Sequence, residues 1–240
     1  DLIKRGHTFA TQGDTEVIVH LYEEYGIDFV KKLNGMFAIA VWDGPKRKLT
    51  IVRDRLGQKP LYYASIADGI YFGSELKCLT ACDSVPREID HESVSHYFTL
   101  GYIPHPWSIY KTIRQLPPAG RLVADGRSQT IKIDCYWQLD EEIDHNQSRE
   151  DASEELLHLI EDSVKLRMIS DVPLGAFLSG GLDSSIIVAQ MAQHSSNPVK
   201  TFHIDFAESD YSEKKYARAV AERFGTEHHE LVVNPSAVDV

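Results

Sequence analysis

The segment from Leu178 to Ser185 constrains the fold more than any other part of the chain. It reads Leu-Ser-Gly-Gly-Leu-Asp-Ser-Ser and lies between an apolar run at 172–178 and a longer apolar run at 183–193. A short apolar run, then glycines, then helical periodicity predicts a strand that turns directly into a helix. Because apolar residues occur nearly all round the second run, we expect that helix to be buried.

The flanking patterns continue this alternation through the second half of the chain. They predict helices at 154–168 and 212–224 and strands at 199–206 and 230–233. Strands that alternate with helices are typical of a parallel sheet with crossover helices. The second half is therefore predicted to be an α/β domain.

The first half has a different pattern. Asp14 is predicted to cap a helix that Gly26 ends, and hairpin turns follow at Asp43-Gly44 and Asp68-Gly69. Proline-rich residues 86–125 are expected to be irregular apart from a short helix, and the acidic stretch 140–151 marks a domain boundary. The strands are predicted at 36–43 (buried on both faces), 49–53, 61–64 and 70–73, and the short helix at 90–100. These patterns predict an α+β domain at 1–140, with an interdomain region from about residue 86, and a second domain at 141–240.

Charge and cysteine content exclude several classes of function. The net charge of −11 argues against nonspecific binding to nucleic acid or to an anionic membrane surface. No apolar run approaches the roughly 18 residues of a membrane span, and no signal peptide is recognisable. Cys78, Cys82 and Cys135 fit neither a disulfide framework nor zinc-ligand spacing, so we expect reduced, buried thiols in a cytoplasmic protein.

The residue types in 178–185 suit a polyphosphate ligand. The start of a helix offers unpaired N–H groups, Gly180 and Gly181 allow close approach of the backbone, and Ser179, Ser184 and Ser185 can donate hydrogen bonds. A carboxylate would repel phosphate directly, so Asp183 is assigned to Mg²⁺ on the β- and γ-phosphates of ATP. No Lys follows the glycines, which distinguishes this loop from a Walker-type loop and favours cleavage between the α- and β-phosphates. The alternative is a Gly/Ser-rich turn with an Asp cap.

This loop resembles the pyrophosphate loop of the N-type ATP pyrophosphatases, and the rest of the chain is similar to glutamine-hydrolysing asparagine synthetase, a class II amidotransferase domain joined to a synthetase domain. The segments that carry the resemblance to its glutaminase half are 13–17, 33–38, 53–63 and 74–77. Those that resemble its interdomain and synthetase regions are 101–104, 116–120, 201–204 and 225–229. The implied folds are an incomplete antiparallel sandwich of the N-terminal-nucleophile-hydrolase type and the start of a parallel-sheet pyrophosphatase-loop domain.

The resemblance also implies an activity and its ligands. A carbon–nitrogen ligase of this family makes asparagine from aspartate, with glutamine as the nitrogen donor, ATP and Mg²⁺, through β-aspartyl-AMP and with release of AMP and pyrophosphate. Asp14 matches the carboxylate that receives the α-amino group of glutamine. Ile204 matches a position whose backbone contacts adenine, and Leu178 another backbone contact to the nucleotide.

The chain also departs from the family at the catalytic nucleophile of the glutaminase half. The family's nucleophile is an N-terminal Cys, whereas this chain begins with Asp1 and its cysteines are internal. We therefore expect a chain truncated at both ends and inactive by itself. A related amidotransferase with another carboxylate acceptor, similar to β-lactam synthetase, and a noncatalytic nucleotide-binding module stay open; an RNA-modifying enzyme is disfavoured by the charge. Truncated sheet edges could also pair two copies as a homodimer.

Several other charged residues receive structural interpretations. Arg53, Asp54 and Glu75 are expected to form buried ion pairs that support the sheet rather than to act in catalysis. His228 and His229 are adjacent on a strand and should point to opposite faces, which argues against a shared metal.

Overall fold

A computed structural model describes residues 1–142, 147–206 and 213–233. The chain divides into two compact units, Asp1–Glu141 and Glu142–Val240. Residues 143–146 of the predicted boundary and Ser212 at the predicted start of a helix lie outside the described residues. The predicted fold class is confirmed: the first unit holds antiparallel sheets with helices, and the second holds a parallel sheet with helices.

The first unit contains two antiparallel sheets. The four-stranded sheet has the order β1-β2-β6-β7 and the three-stranded sheet has the order β4-β3-β5. The strands are β1 (Ala38–Asp43), β2 (Lys48–Arg53), β3 (Tyr62–Ile66), β4 (Gly69–Gly73), β5 (Ile113–Gln115), β6 (Gly120–Asp125) and β7 (Thr130–Cys135). Both predicted hairpins are present. The prediction that 86–125 lacks strands was wrong, because β5 and β6 lie there and β6 is an inner strand.

The two sheets, with one helix packed on the outer side of each, form four layers. The helices are α1 (Asp14–Tyr25), α2 (Leu76–Thr80) and α3 (His91–Leu100), with 3₁₀ turns at Ile3–Arg5 and Gly26–Lys32. Ile51 and Leu122 pack between the sheets. Val52, beside Ile51 on the same strand, packs on the α1 side of the larger sheet, while Ala64 packs on the α2 side of the smaller one. Alternate strand residues thus fill different layers, as the pleat requires.

Two local predictions in this unit were wrong. The edge strand β1 is not buried on both faces, since the Trp42 side chain is 61% exposed. Asp14 is the first residue of α1 and not its cap; Gly13 occupies the cap position, with no side-chain hydrogen bond. The Glu16 side chain, in the first turn of α1, accepts hydrogen bonds from the backbone N–H groups of Ala10 and Thr11 in the segment before the helix. Gly26 does end α1, with φ of 57°.

Arg53 and Asp54 are buried, as predicted, but their partners are backbone groups rather than each other. The Arg53 guanidinium donates to three carbonyls, including that of Leu116 at 2.7 Å, and burial lowers its pKa. Asp54 accepts from the N–H groups of Gln58 and Lys59, both at 2.9 Å. Glu75 is exposed and pairs with the neighbouring Lys77, so the predicted buried ion pairs are wrong.

The described residues of the second unit form a three-stranded parallel sheet in the order β10-β9-β8. Its elements are α4 (Arg149–Arg167), β8 (Gly175–Phe177), α5 (Leu182–His194), β9 (Lys200–Phe206), α6 (Lys214–Phe224) and β10 (Glu227–Val233). The helices pack on one face of this sheet through clusters that include Val164, Val188 and Ala217. The other face leaves Phe177 and Ile204 exposed.

Some details of the second unit differ from the sequence prediction. β8 is shorter than predicted, and Val172 lies outside it with 70% of its surface exposed. α5 is buried only along one side, because Leu182 and Ile187 are exposed. The three cysteines are free, as expected, but Cys78 and Cys135 are exposed rather than buried. Among the described residues, no helix is both long and apolar enough to cross a membrane.

Candidate functional site

The candidate site lies where β8 passes into α5. Gly181 occupies the helix cap position with φ of −68° and ψ of 166°, and no side chain caps the helix. The first N–H groups of an α-helix have no intrahelical acceptor. The N-terminus of α5 therefore presents backbone donors and the positive end of the helix dipole, which together favour an anion.

The serine hydroxyls of the loop gather around Gly181. Ser179 Oγ accepts a hydrogen bond from the Gly181 N–H at 3.2 Å and lies 3.0 Å from Ser184 Oγ. The hydroxyls of Ser184 and Ser185 donate to the Gly181 carbonyl, at 3.2 and 2.6 Å. These bonds hold the loop in a defined conformation, and rotation about a single side-chain torsion would redirect each hydroxyl to a ligand.

The two glycines have different structural roles. Gly180 has φ of +83°, and a Cβ built on it would lie 2.4 Å from the Tyr216 carbonyl carbon and from the Ala217 nitrogen on α6. A Cβ on Gly181 would meet only Ser179 Oγ, at 3.3 Å. Gly180 is thus required for packing against α6, a reason that the sequence analysis did not foresee, whereas Gly181 keeps the open side of the loop clear.

Asp183 is exposed in the first turn of α5. An acidic side chain is favourable there because of the helix dipole. Because Asp183 belongs to the same helical turn as the open N–H groups, a divalent cation could bridge its carboxylate to a phosphate bound there. One carboxylate together with phosphate oxygens is a usual ligand set for Mg²⁺, and the residues present fit that ion.

Leu178 is buried and its backbone is engaged at the carboxyl end of β8. Its N–H donates to the Phe202 carbonyl at 2.8 Å, and its carbonyl lies 3.0 Å from His203 Nδ1. One carbonyl lone pair is left for a further donor. A nucleotide contact by Leu178, as the resemblance implies, would therefore use that second lone pair.

The Ile204 backbone is oriented toward the β8 side of β9. Peptide groups of alternate strand residues point to opposite neighbours, and the bond from Leu178 to Phe202 directs Phe202 toward β8. Ile204, two residues further along, therefore points the same way, but β8 has ended at Phe177. Both predicted backbone contacts thus lie at the edge of the sheet where open α/β folds bind ligands.

A row of buried polar side chains on β9 was missed in the sequence analysis. Thr201, His203 and Asp205 lie on the helix-facing side and are at most 7% exposed. His203 Nε2 lies 3.9 Å from Asp205 Oδ1, and neither atom has a hydrogen-bond partner among the described residues. The signal was the alternation of polar with apolar residues over 201–206, which marks one strand face as polar.

The two adjacent histidines of β10 do not share a ligand. His228 is hydrogen-bonded to Thr201 Oγ1 at 2.9 Å, and burial lowers its pKa. His229 lies on the opposite face, where its ring stacks on Phe202 with 5.2 Å between centroids. The prediction that they point to opposite faces is confirmed.

Asp14, the candidate glutamine-binding residue, belongs to the first unit. It is exposed at the first position of α1 and accepts a hydrogen bond from Thr15 Oγ1 at 3.3 Å. An exposed carboxylate at this position is chemically suited to bind an ammonium group.

Comparison with known protein families identifies two domains in the chain. Residues 1–137 match the model of a glutamine amidotransferase domain, and residues 155–239 match that of asparagine synthase. Because the first match spans more than half of the chain, the protein belongs to the glutamine amidotransferase domain family. The second match joins this domain to an asparagine synthase segment, the combination that the sequence resemblance predicted.

The relatives that this chain matches are named as glutamine-hydrolysing asparagine synthetases. The chain is 41% identical over 222 residues to a putative glutamine-hydrolysing asparagine synthetase 2 of Methanocaldococcus jannaschii, covering 91% of this chain and 43% of the relative. It is 38% identical to asparagine synthetase 3 of Bacillus subtilis (98% and 40% covered) and 33% identical to asparagine synthetase B of Escherichia coli (94% and 37%). The chain thus spans about two fifths of the length of these relatives.

A likeness to a solved structure is weaker. The glutamine phosphoribosylpyrophosphate amidotransferase of Bacillus subtilis aligns with 99% of this chain and 45% of its own length, at 15% identity and a TM-score of 0.38. This similarity is too low to support an inference.

Proposed function

We propose that this chain supplies the ATP-binding start of a glutamine-dependent asparagine synthetase, together with part of its glutaminase domain. The observation that carries the proposal is the uncapped N-terminus of α5, which follows directly on Ser179 and Gly180 at the carboxyl end of a parallel strand. Residues 1–140 would be the glutaminase part and residues 141–240 the start of the synthetase part. The names of the relatives support glutamine as nitrogen donor and asparagine as product.

The chain's residues divide the work of binding ATP. The first-turn N–H groups of α5 and the hydroxyls of Ser179, Ser184 and Ser185 would donate to the β- and γ-phosphate oxygens. Asp183 would hold Mg²⁺, which when bound neutralises charge on the departing pyrophosphate. The Ile204 backbone would contact the adenine, and the Leu178 backbone would make another contact to the nucleotide. Cleavage between the α- and β-phosphates then transfers AMP to the side-chain carboxylate of aspartate, and ammonia displaces AMP from β-aspartyl-AMP to give asparagine.

The cysteines of this chain do not suit the glutaminase chemistry that the resemblance implies. Asp14 would bind the α-amino group of glutamine, but Cys78, Cys82 and Cys135 are internal, so none carries the free α-amine that serves as base in the family. We expect the 240-residue chain alone to release no ammonia from glutamine.

Binding can be tested on the chain itself. Calorimetry with ATP should show binding that requires Mg²⁺ and that weakens at least tenfold in Asp183→Ala. Asp162→Ala removes another exposed helical carboxylate of the same unit and should leave binding unchanged. ATP binding that is indifferent to both Mg²⁺ and Asp183 would count against the loop assignment.

The activity is tested with a protein of the relatives' length that contains this chain. With ammonia supplied directly, pyrophosphate and AMP should appear only when aspartate is present, and asparagine should accumulate. Pyrophosphate release with a different carboxylate would retain the loop assignment and refute asparagine as product. ADP and phosphate would refute the adenylate mechanism.

A further inference from the structure

Two histidines and a glutamate of the first unit converge beside α1. His20 and Glu23 are three residues apart on α1 and so lie on one face of the helix. His7 reaches them from the segment that follows the 3₁₀ turn Ile3–Arg5. One ligand atom from each, His7 Nδ1, His20 Nδ1 and a Glu23 carboxylate oxygen, lies within 4.8 Å of the other two.

The three atoms are spaced like the ligands of one small cation. The two Nδ1 atoms are 3.0 Å apart, and Glu23 Oε2 lies 3.0 Å from His20 Nδ1 and 3.5 Å from His7 Nδ1. Ligands at about 2.0–2.1 Å from a tetrahedral ion are about 3.3 Å apart. The triangle therefore has nearly the dimensions of one face of a tetrahedral zinc site.

The environment of His7 fixes which nitrogen is available. His7 Nε2 lies 2.9 Å from Glu24 Oε1, and Arg5 donates to the other oxygen of Glu24 at 2.8 Å. A carboxylate accepts only, so His7 Nε2 carries the hydrogen and the Nδ1 of the neutral ring keeps its lone pair. A carboxylate on the far nitrogen is the usual outer partner of a metal-binding histidine.

His20 is placed consistently with this arrangement. Its ring is partly buried beside Phe9, with 4.8 Å between ring centroids, and its buried Nε2 has no hydrogen-bond partner among the described residues. The nearest carboxylate oxygen, on Glu16, is 3.8 Å away, which is too long for a hydrogen bond but favourable for an N–H dipole. Metal binding through Nδ1 would require the neutral His20 ring to carry its hydrogen on Nε2, on the side of Glu16.

In the absence of a metal, a hydrogen on His20 Nδ1 can be donated to Glu23 Oε2 or to His7 Nδ1, each 3.0 Å away. A proton can satisfy only one pair of the three atoms at a time, whereas a divalent ion satisfies all three. Imidazole nitrogens with one carboxylate suit zinc and similar transition metals better than Mg²⁺ or Ca²⁺.

We propose that His7, His20 and Glu23 bind a divalent transition-metal ion, Zn²⁺ in the first instance, with a fourth position open to water. This site lies in the other unit from the Asp183 loop and is independent of the proposed ATP chemistry. Bound metal would join the segment before α1 to the helix that carries Asp14 at its start. Its role would be to fix that helix rather than to react with substrate.

The test uses Zn²⁺ alone with the tag-free chain. Equilibrium dialysis followed by metal analysis should give one Zn²⁺ per chain, and calorimetry should give a dissociation constant that rises at least tenfold in Glu23→Gln. Glu23 is exposed, so this variant should fold normally, which far-UV circular dichroism would verify. His7→Ala should abolish the stoichiometric site.

Two further variants make the test selective. Glu24→Gln, which removes the outer partner of His7, should weaken Zn²⁺ binding about 10- to 100-fold. His229→Ala, an exposed histidine of the second unit, should leave it unchanged. Retention of one tightly bound Zn²⁺ in both Glu23→Gln and His7→Ala, or the absence of stoichiometric binding to the unaltered chain, would overturn the proposal.

Discussion

Replacing Gly180 with alanine should destabilise the second unit selectively. An alanine at φ of +83° costs about 1–2 kcal/mol, because an L side chain is strained in the left-handed region. Its Cβ would also lie 2.4 Å from two backbone atoms of α6, which cannot rotate away as a side chain could. Overpacking of this kind costs about 1–3 kcal/mol. We therefore expect the free energy of unfolding of the second unit to fall by about 2–5 kcal/mol.

The distribution of tryptophans allows the two units to be followed separately. Trp42, Trp107 and Trp137 all lie in the first unit. In a urea titration, tryptophan fluorescence therefore reports the first unit, whereas circular dichroism at 222 nm also reports the helices of the second. Gly180→Ala should lower the midpoint of the circular dichroism transition and leave the fluorescence transition in place.

Gly181→Ala is the matched control. At φ of −68° alanine is unstrained, and its Cβ would approach only the Ser179 hydroxyl, so the change should stay within about 1 kcal/mol. A loss below about 1 kcal/mol in Gly180→Ala, or an equal loss in both variants, would refute the packing argument.

Three further predictions concern charged groups. Ion pairs with Arg218 and a lysine lower the pKa of Glu230 from 4.5 to about 2. The Glu230 carboxylate therefore stabilises the second unit above pH 4.5, and this contribution is lost as the pH falls toward 2. Acid titration followed by circular dichroism should show a loss of about 1–2 kcal/mol that is absent in Glu230→Gln. Arg121 is 8% exposed and makes two hydrogen bonds to Asp134. Arg121→Met should therefore lower the urea midpoint of the fluorescence transition by an amount equivalent to about 2–4 kcal/mol. An unchanged midpoint would contradict a stabilising role of this ion pair. Asp54→Ala should cost the first unit about 2–4 kcal/mol, because it leaves three backbone N–H groups without their acceptor; Asp54→Asn should recover part of that loss in the same titration.

Local chemistry made many elements predictable from sequence. The α3 helix spans His91–Leu100, within one residue of the predicted 90–100, and Asp90 and Gly101 occupy its cap positions. The first hairpin follows from Asp43-Gly44 in the same way. The turn from strand to helix at 178–185 was also predictable, since an apolar run, two glycines and a helical periodicity follow one another in the sequence.

Features that depend on distant partners were not predictable. β6 was missed because Pro117 and Pro118 precede it directly, and its pairing with β2, some seventy residues earlier, leaves no local signal. Likewise Arg53 and Asp54 suggested an ion pair by adjacency, whereas the fold turns both toward backbone groups of loops. The polar row on β9 was visible as alternation, but only the packed helices determine which face is buried.

The contact between Gly180 and α6 has a consequence for protein engineering. Residues 178–185 look like a portable module that could be grafted between any parallel strand and its following helix. The shape of the loop at Gly180, however, is set by the bare backbone at Tyr216 and Ala217, more than thirty residues downstream. A graft would therefore have to carry α6 with it, and the smallest transplantable unit is the strand, the loop and both helices together.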